Sequence, residues 1–279
     1  MLGLVLSSGG ARGTAHVGVL KGLEAEGIRP DVIVGVSMGA EVGGLYAAGV
    51  PTAKLDELWR NASFLRLAKH LRPTLPWFGW SSGKAIRDSI CQIVGECRIE
   101  DLPTRFAAVA TDLKSGQPLA ITQGNLADAV RASLSVPGLL TPYWLNGHLC
   151  IDGGVTSPLP IDVAKTLGAD VIIAVDVLVD PSDVELAGVP KVSKRHAKAM
   201  DSSSHHRYRP TVFSVLFQMS TVFQKQLARL SVSQHSPDIL LQPDFSQDPP
   251  CYSRVGCGIE AGEIAVQEAM PAICAALRI

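Results

Sequence analysis

Two successive units of the same kind open the chain and restrict its architecture more than any other feature. Leu2–Leu6 is an apolar run ending in Ser7-Ser8-Gly9-Gly10, after which residues 14–26 carry Val17, Leu20 and Leu23 at helical spacing and stop at Gly27. Residues 31–36 repeat the pattern with a β-branched run, followed by Ser37, a small-residue helix over 38–48 and Gly49 placed to close it. Strands separated by a whole helix pair parallel rather than as hairpins, and a parallel sheet needs helices on both of its faces. Aromatic residues are 5% of the chain against 47% hydrophobic, with 26 glycines, which suits a buried parallel sheet and not an all-β sandwich. The expectation is an α/β protein of three layers, α/β/α, with a mainly parallel central sheet, and a single domain over residues 1–279.

The remainder of the chain supports this reading with two interruptions. Residues 55–80 are less regular and hold Pro73, Pro76 and three tryptophans, Trp59, Trp77 and Trp80, which reads as a mouth or cap before a helix at about 84–94. Strands are expected at 105–111 and 118–122 around Lys114-Ser115-Gly116, a helix at 126–134 closed by Pro137, and a hairpin at 143–151 turning on Asn146-Gly147. A helix at 161–167 and a buried strand at 171–177 follow. Residues 180–210 break the pattern with His196, His205 and His206 among Lys, Arg and Ser, which reads as a flexible, exposed insertion that could serve as a lid or partner site. The spacing of Val212, Val215, Leu216, Met219, Phe223 and Leu230 predicts a core-packing helix over 211–230, before a strand at 238–241 and a final helix at 258–277.

Charge and composition exclude several classes. With 25 Lys+Arg against 26 Asp+Glu the net charge is -1, so no whole-chain field draws in nucleic acid or anionic lipid. The combination of 18% charged and 47% hydrophobic residues rules out disorder over most of the length. Six scattered cysteines without a C-x-x-C read as free thiols in a reducing cytosol, and the N-terminus has no basic region of the signal-peptide kind. The longest apolar stretch, residues 32–50, contains Glu41 and five glycines, so no membrane span is expected. A cytoplasmic protein follows, with membrane contact at most peripheral, and the number of chains per molecule is left open. No His, Cys and carboxylate cluster has metal-ligand spacing, so no metal or cofactor is expected.

Three features carry chemistry. Gly35-Val36-Ser37-Met38-Gly39 is a G-x-S-x-G sequence between a strand and a small-residue helix, where a sharp turn exposes a serine; a plain helix N-cap is the competing role for Ser37. Ser8-Gly9-Gly10-Ala11-Arg12-Gly13 also joins strand to helix, and its amides converge at a positive helix end able to hold an oxyanion or a phosphate. A dinucleotide-binding turn fits it poorly, because Ser8 stands where the first glycine belongs and Ser37 stands where a ribose-binding acid is wanted. Asp152, in Ile151-Asp152-Gly153-Gly154 at a strand end, could accept the Ser37 proton or simply shape a turn.

Together these features resemble the patatin-like phospholipase family over nearly the whole chain. The resemblance rests on Gly9 to Gly13 with His16 and Gly18, on Gly35 to Gly39, on Ala110-Thr111-Asp112-Leu113, on Ser135-Val136-Pro137-Gly138, and on Asp152-Gly153-Gly154 before Pro158-Leu159-Pro160. It implies a catalytic dyad in place of a triad, with Ser37 as nucleophile, Asp152 as general base, and an oxyanion hole from the amides around Gly9, Gly10, Ala11 and Arg12. It also implies lipid or acyl-ester substrates, phospholipid or lysophospholipid, and no cofactor. One departure is Ser8, where the family usually carries a third glycine.

Other readings stay open beside it. His235 or a histidine of the 180–210 segment could complete a Ser, Asp, His order, while His16 reads as packed or hydrogen-bonded. Asp176 is a second-choice acid, and Asp112 reads as organising the turn after its strand. A soluble short-chain carboxylesterase or thioesterase would use the same chemistry, and a non-catalytic lipid-binding scaffold or a phosphate-binding protein would use the fold alone.

Overall fold

The computed structural model describes residues 1–61, 81–183, 211–245 and 255–279. The cap expected around Trp77 and Trp80 and most of the expected insertion, with its three histidines, lie outside the described residues.

Eight strands form one mixed sheet among the described residues: β1 (Leu2–Leu6), β2 (Val32–Val36), β3 (Arg105–Asp112), β4 (Pro118–Ile121), β5 (Tyr143–Leu145), β6 (His148–Asp152), β7 (Val171–Val175) and β8 (Ile239–Leu241). The order is β5-β6-β3-β2-β1-β7-β8, with β4 also paired to β3. Strands β3, β2, β1, β7 and β8 run parallel, and β4, β5 and β6 join as antiparallel strands at the β3 end. The β5–β6 hairpin turns on Asn146 and Gly147, both at positive φ, as the Asn-Gly pair anticipated.

The helices are α1 (Ala15–Ala25), α2 (Met38–Ala47), α3 (Thr52–Arg60), α4 (Lys84–Val94), α5 (Leu126–Ser133), α6 (Ile161–Thr166), α7 (Val212–His235) and α8 (Val255–Leu277). Alternation along the strands divides the core in two. Leu4, Leu6, Ile33, Ile173 and Val175 pack with α1, α2, α5 and α8 on one face, and Val5, Val34, Val36, Ile172 and Ala174 pack with α6 and α7 on the other. This is the three-layer architecture that the paired strand–turn–helix units required.

Two expectations need correction. Residues 52–60 are not irregular: they form α3, anchored by buried Leu55 and by an ion pair from Lys21 to Asp56 at 2.7 Å. With so few large apolar residues in the helix, its periodicity was weak. The second concerns α7, which is helical as its spacing suggested and runs on to His235, but does not bury its apolar positions. Leu216 and Phe223 are each 57% exposed, whereas Lys225 and Ala228 are buried. The groups that α7 meets at the sheet's end are polar, so its polar side turns inward.

Candidate active site

The register of β3 builds the site. Val109 pairs with Ala120 of β4 and with Val36 of β2, and the next residue, Ala110, pairs with Leu119 of β4 and with Asp152 of β6. A strand has two edges, so β4 occupies one of them while β2 and β6 share the other and meet end to end. Strand β2 therefore cannot continue past Val36, since Asp152 holds the next place. The chain turns away at Ser37 with φ 54° and ψ −118°, a conformation uncommon for a residue with a Cβ.

The glycines of the G-x-S-x-G sequence allow this turn to pack. A Cβ on Gly35 would stand 2.3 Å from the Gly39 carbonyl oxygen, and one on Gly39 would stand 2.4 Å from the Leu6 carbonyl oxygen. Backbone here touches backbone, leaving no room for a side chain. The Ser37 N–H donates to Ser133 Oγ at 2.8 Å, and that hydroxyl in turn donates to the Val109 carbonyl at 2.6 Å.

Asp152 is buried and held through both its backbone and its side chain. Its N–H donates to the Ser135 carbonyl at 2.9 Å, and its carbonyl accepts from Thr111 Oγ1 at 3.0 Å. Its Oδ1 accepts the Gly154 N–H at 2.7 Å, and the Ser37 hydroxyl donates to the same carboxylate. Burial pushes its pKa up to about 6, opposed by the hydrogen bonds from Ser37 and Gly154. Gly153 is a further close approach, since its Cβ would lie 2.1 Å from the Val109 carbonyl oxygen. Ser37 and Asp152, picked out separately in the sequence, are thus in direct contact. Among the described residues no histidine stands between them, and His235 closes the last turn of α7.

The glycine-rich turn lies beside them. Gly9 precedes a 3-10 helix, Gly10–Thr14, in which Gly10 has φ 53°. The Arg12 N–H donates to the Gly9 carbonyl at 3.2 Å and its guanidinium stacks 4.8 Å over the Phe245 ring, so of the four amides expected at an oxyanion hole this one serves the turn itself. The amides of Gly10 and Ala11, first in the helix, have no acceptor within it, and with that of Gly9 they are the donors available to an oxyanion. Ser8 fits without a glycine: it is not among the residues with positive φ, and its hydroxyl donates to Gln224 Oε1 at 3.0 Å.

Buried polar groups brace the turn. His16 donates from Nε2 to the Ser7 carbonyl at 2.9 Å, and burial pushes its pKa down to about 4, so it is a neutral strut as expected. Asp176 is no spare acid: Lys225 Nζ lies 2.8 Å from its Oδ2, and Gln242 donates to it as well. Asp112 accepts from the Lys114 N–H and the Ser115 hydroxyl, the turn-organising role expected of it.

Sequence reasoning missed three residues. Ser133 supports the nucleophile's backbone. Arg131, fully buried and without a carboxylate partner, donates to Ser135 Oγ at 2.6 Å, to the Ser82 carbonyl at 2.8 Å and to the Thr141 carbonyl at 2.8 Å, and burial pushes its pKa down to about 10. Glu41, one turn of α2 beyond Ser37, is pushed up to about 7 by burial. The sequence signal for Arg131 and Ser133 was a polar pair in a helix of otherwise small apolar residues, which gains meaning only once that helix is known to be buried. Among the described residues no three His, Cys, Asp or Glu side chains converge as a metal site, and no helix is long and apolar enough to cross a membrane.

Comparison with known proteins now bears on this geometry. Residues 4–165, which include the glycine-rich turn, Ser37 and Asp152, match the family described as Patatin-like phospholipase. An uncharacterised NTE family protein of Mycobacterium tuberculosis is 41% identical over 175 residues, covering 62% of this chain and 48% of that protein. A lysophospholipase of Aspergillus fumigatus is 38% identical over 187 residues, covering 63% of this chain and 12% of its own. Patatin-like phospholipase domain-containing protein 6 of Mus musculus is 36% identical over 181 residues, 63% of this chain and 13% of that one. The chain thus aligns with about half the length of the mycobacterial relative and about an eighth of the other two. Among solved structures, VipD of Legionella pneumophila shares the fold, with a TM-score of 0.51 at 14% identity over 97% of this chain and 66% of that one.

Proposed function

Because the chain belongs to the patatin-like phospholipase family, we propose that it hydrolyses fatty-acyl esters of phospholipids or lysophospholipids, with Ser37 as nucleophile and Asp152 as general base. The observation that carries this reading is the direct hydrogen bond from the Ser37 hydroxyl to a buried carboxyl whose pKa stands at about 6. Above that pH the carboxylate is ionised and already bonded to the proton it must take.

In the first half-reaction Ser37 Oγ attacks the acyl carbonyl carbon as its proton passes to Asp152. The oxyanion that forms is held by the amides of Gly9, Gly10 and Ala11. Collapse breaks the bond to the alcohol oxygen, which takes the proton from Asp152 and leaves as a lysolipid or a deacylated headgroup. In the second half-reaction Asp152 takes a proton from water, the hydroxide attacks the acyl-Ser37 ester, and Ser37 leaves with the proton returned to its oxygen. The fatty acid is released and the enzyme is restored. The Gly154 N–H and the two backbone hydrogen bonds of Asp152 keep its carboxylate aimed throughout, the part a third residue plays in a triad.

The lipid preference follows from the lysophospholipases among the relatives. The protein acts in the cytoplasm at the surface of a membrane, without a protein cofactor, as the sequence led us to expect. The test is fatty-acid release from lysophospholipid, diacyl phospholipid and a short-chain nitrophenyl ester, by wild type, Ser37→Ala and Asp152→Asn, with chelator present. Release from the lipids that both variants abolish is the expected result. Retained turnover in either purified variant overturns the dyad, and release from the short ester alone overturns the lipid assignment.

A further inference from the structure

Helix α7 is amphipathic in reverse. Val212, Leu216, Met219, Phe223 and Leu230 recur at intervals of four, three, four and seven residues, so they form a single stripe, and their exposures are 77, 57, 45, 57 and 49%. The opposite side faces the protein through polar groups: Gln218 donates to the Pro181 carbonyl at 2.8 Å, Gln224 accepts from Ser8, Lys225 pairs with Asp176, and Ser231 donates to the Leu159 carbonyl at 2.7 Å. A helix of a water-soluble protein ordinarily turns its apolar stripe to the core. This one is fastened by its polar side and presents the stripe outward.

The stripe continues into the rim of the candidate site. Gln224 reaches the residue before Gly9, and α7 packs against the turn Gly153–Val155 that follows Asp152. Val155 is 39% exposed, and Val136 and Leu139, at 37 and 44%, follow Ser135, whose carbonyl accepts the Asp152 N–H. Three separate segments therefore place exposed apolar side chains around one catalytic pair.

We propose that this face of α7, with the rim residues Val136, Leu139 and Val155, is the surface by which the protein docks on a phospholipid bilayer. The choice of occupant rests on the acyl-hydrolase reading of the site it borders. Two features favour a bilayer over a second copy of the chain. Helix α7 carries no Asp or Glu in 24 residues, which suits an interface of phosphate headgroups. Its stripe is flanked by Ser and Gln, without the paired opposite charges that fix partner and register between two helices. The helix lies along the interface and does not cross it, consistent with Lys225 and Arg229 in its second half.

The experiment is flotation of the full chain with vesicles of phosphatidylcholine containing a minority of phosphatidylglycerol. Wild type and Ser37→Ala are expected to float equally. Leu216→Gln combined with Phe223→Gln should reduce flotation at least about tenfold, because two apolar side chains no longer leave water. The double variant should keep its melting temperature and its rate on a soluble, monomeric short-chain ester. Leu216→Gln alone, at a position already in water, should give an intermediate loss and serves if the double variant folds poorly. Undiminished flotation of the variants overturns the proposal. So does a wild-type dimer that the variant splits in sedimentation equilibrium, or a large fall in melting temperature marking the face as covered by the chain itself. If wild type floats but shows no rate on the soluble ester, the docking surface stands and the hydrolase reading fails.

Discussion

The backbone N–H of Ser37 is bonded to the hydroxyl of Ser133, 2.8 Å away, and through it to the Val109 carbonyl on the neighbouring strand. The strained φ of the candidate nucleophile is thus tied to the strand that pairs with Asp152. Ser133→Ala leaves a buried N–H and a buried carbonyl each short of a partner, a cost of about 1–3 kcal/mol. The variant is expected to lose that much stability in denaturant and, with Ser37 released, about tenfold or more in kcat/KM. Ser133→Thr, which keeps the hydroxyl, should recover part of both. A variant with full activity would show that the tie does not position Ser37.

Asp152 gives two opposite pH dependences. Activity needs its carboxylate, so kcat/KM should rise with pH to a plateau through about 6. Glu41 titrates near 7 and contributes a second ionisation, so Glu41→Gln should leave the limb near 6 in place. Stability runs the other way. The carboxyl titrates at 3.8 in the unfolded chain and at about 6 in the folded one, so its contribution favours folding below 3.8 and is lost as pH rises through 6. The loss amounts to about 3 kcal/mol. Asp152→Asn should accordingly be inactive and more stable than wild type at pH 8 by up to that amount, with the gap closing near pH 4 in paired denaturant titrations.

Gly39→Ala should be among the most damaging single changes in the chain. Its Cβ would press on the carbonyl oxygens of Leu6 and Ser7, at 2.4 and 2.6 Å, and a strand backbone cannot move aside. A loss of about 3 kcal/mol or failure to fold is expected. Gly116→Ala is the contrasting change: nothing lies within 4 Å of the added carbon, and its φ of 70° costs only about 1 kcal/mol. Thermal denaturation of the two variants checks both statements.

Arg131 holds three segments together by donating to carbonyls and a hydroxyl, not to a carboxylate. Arg131→Met leaves the Ser82 and Thr141 carbonyls and the Ser135 hydroxyl without their donor, and should cost about 3 kcal/mol or more. Arg131→Lys keeps the charge but cannot reach all three at once, so it should recover only part of the loss. Because Ser135 also accepts the Asp152 N–H, both variants should shift the kcat/KM limb near pH 6 as well as the melting temperature. A purely structural role would move the second alone.

The strand–turn–helix repeat made the layered fold legible, and the spacing of glycines around Ser37 and after Asp152 made the two reacting residues legible. Helix α3 was hidden because Leu55 is its one fully buried large side chain, so no apolar period showed. Helix α7 was misjudged for a deeper reason: periodicity reports that a stripe exists but not which way it faces. Arg131, Ser133 and Lys225 were not legible because their roles depend on burial and on partners such as Ser82, Val109 and Asp176, which lie 24 or more residues away. Only the register of β3 joins Ser37 to Asp152, and antiparallel pairing inside a mainly parallel sheet is set by tertiary structure.

The end-to-end meeting of β2 and β6 makes the spacing of the reacting pair a whole-number quantity. A sheet can offer it only in steps of one residue, about 3.3 Å, and a single step also turns the side chain to the opposite face. Gradual distortion from elsewhere in the molecule therefore has no intermediate setting in which to leave the pair half aligned. Surface and acyl-contact residues are free to diverge while the chemistry stays intact, and on heating activity should vanish in the same cooperative step as the sheet, with no earlier decline.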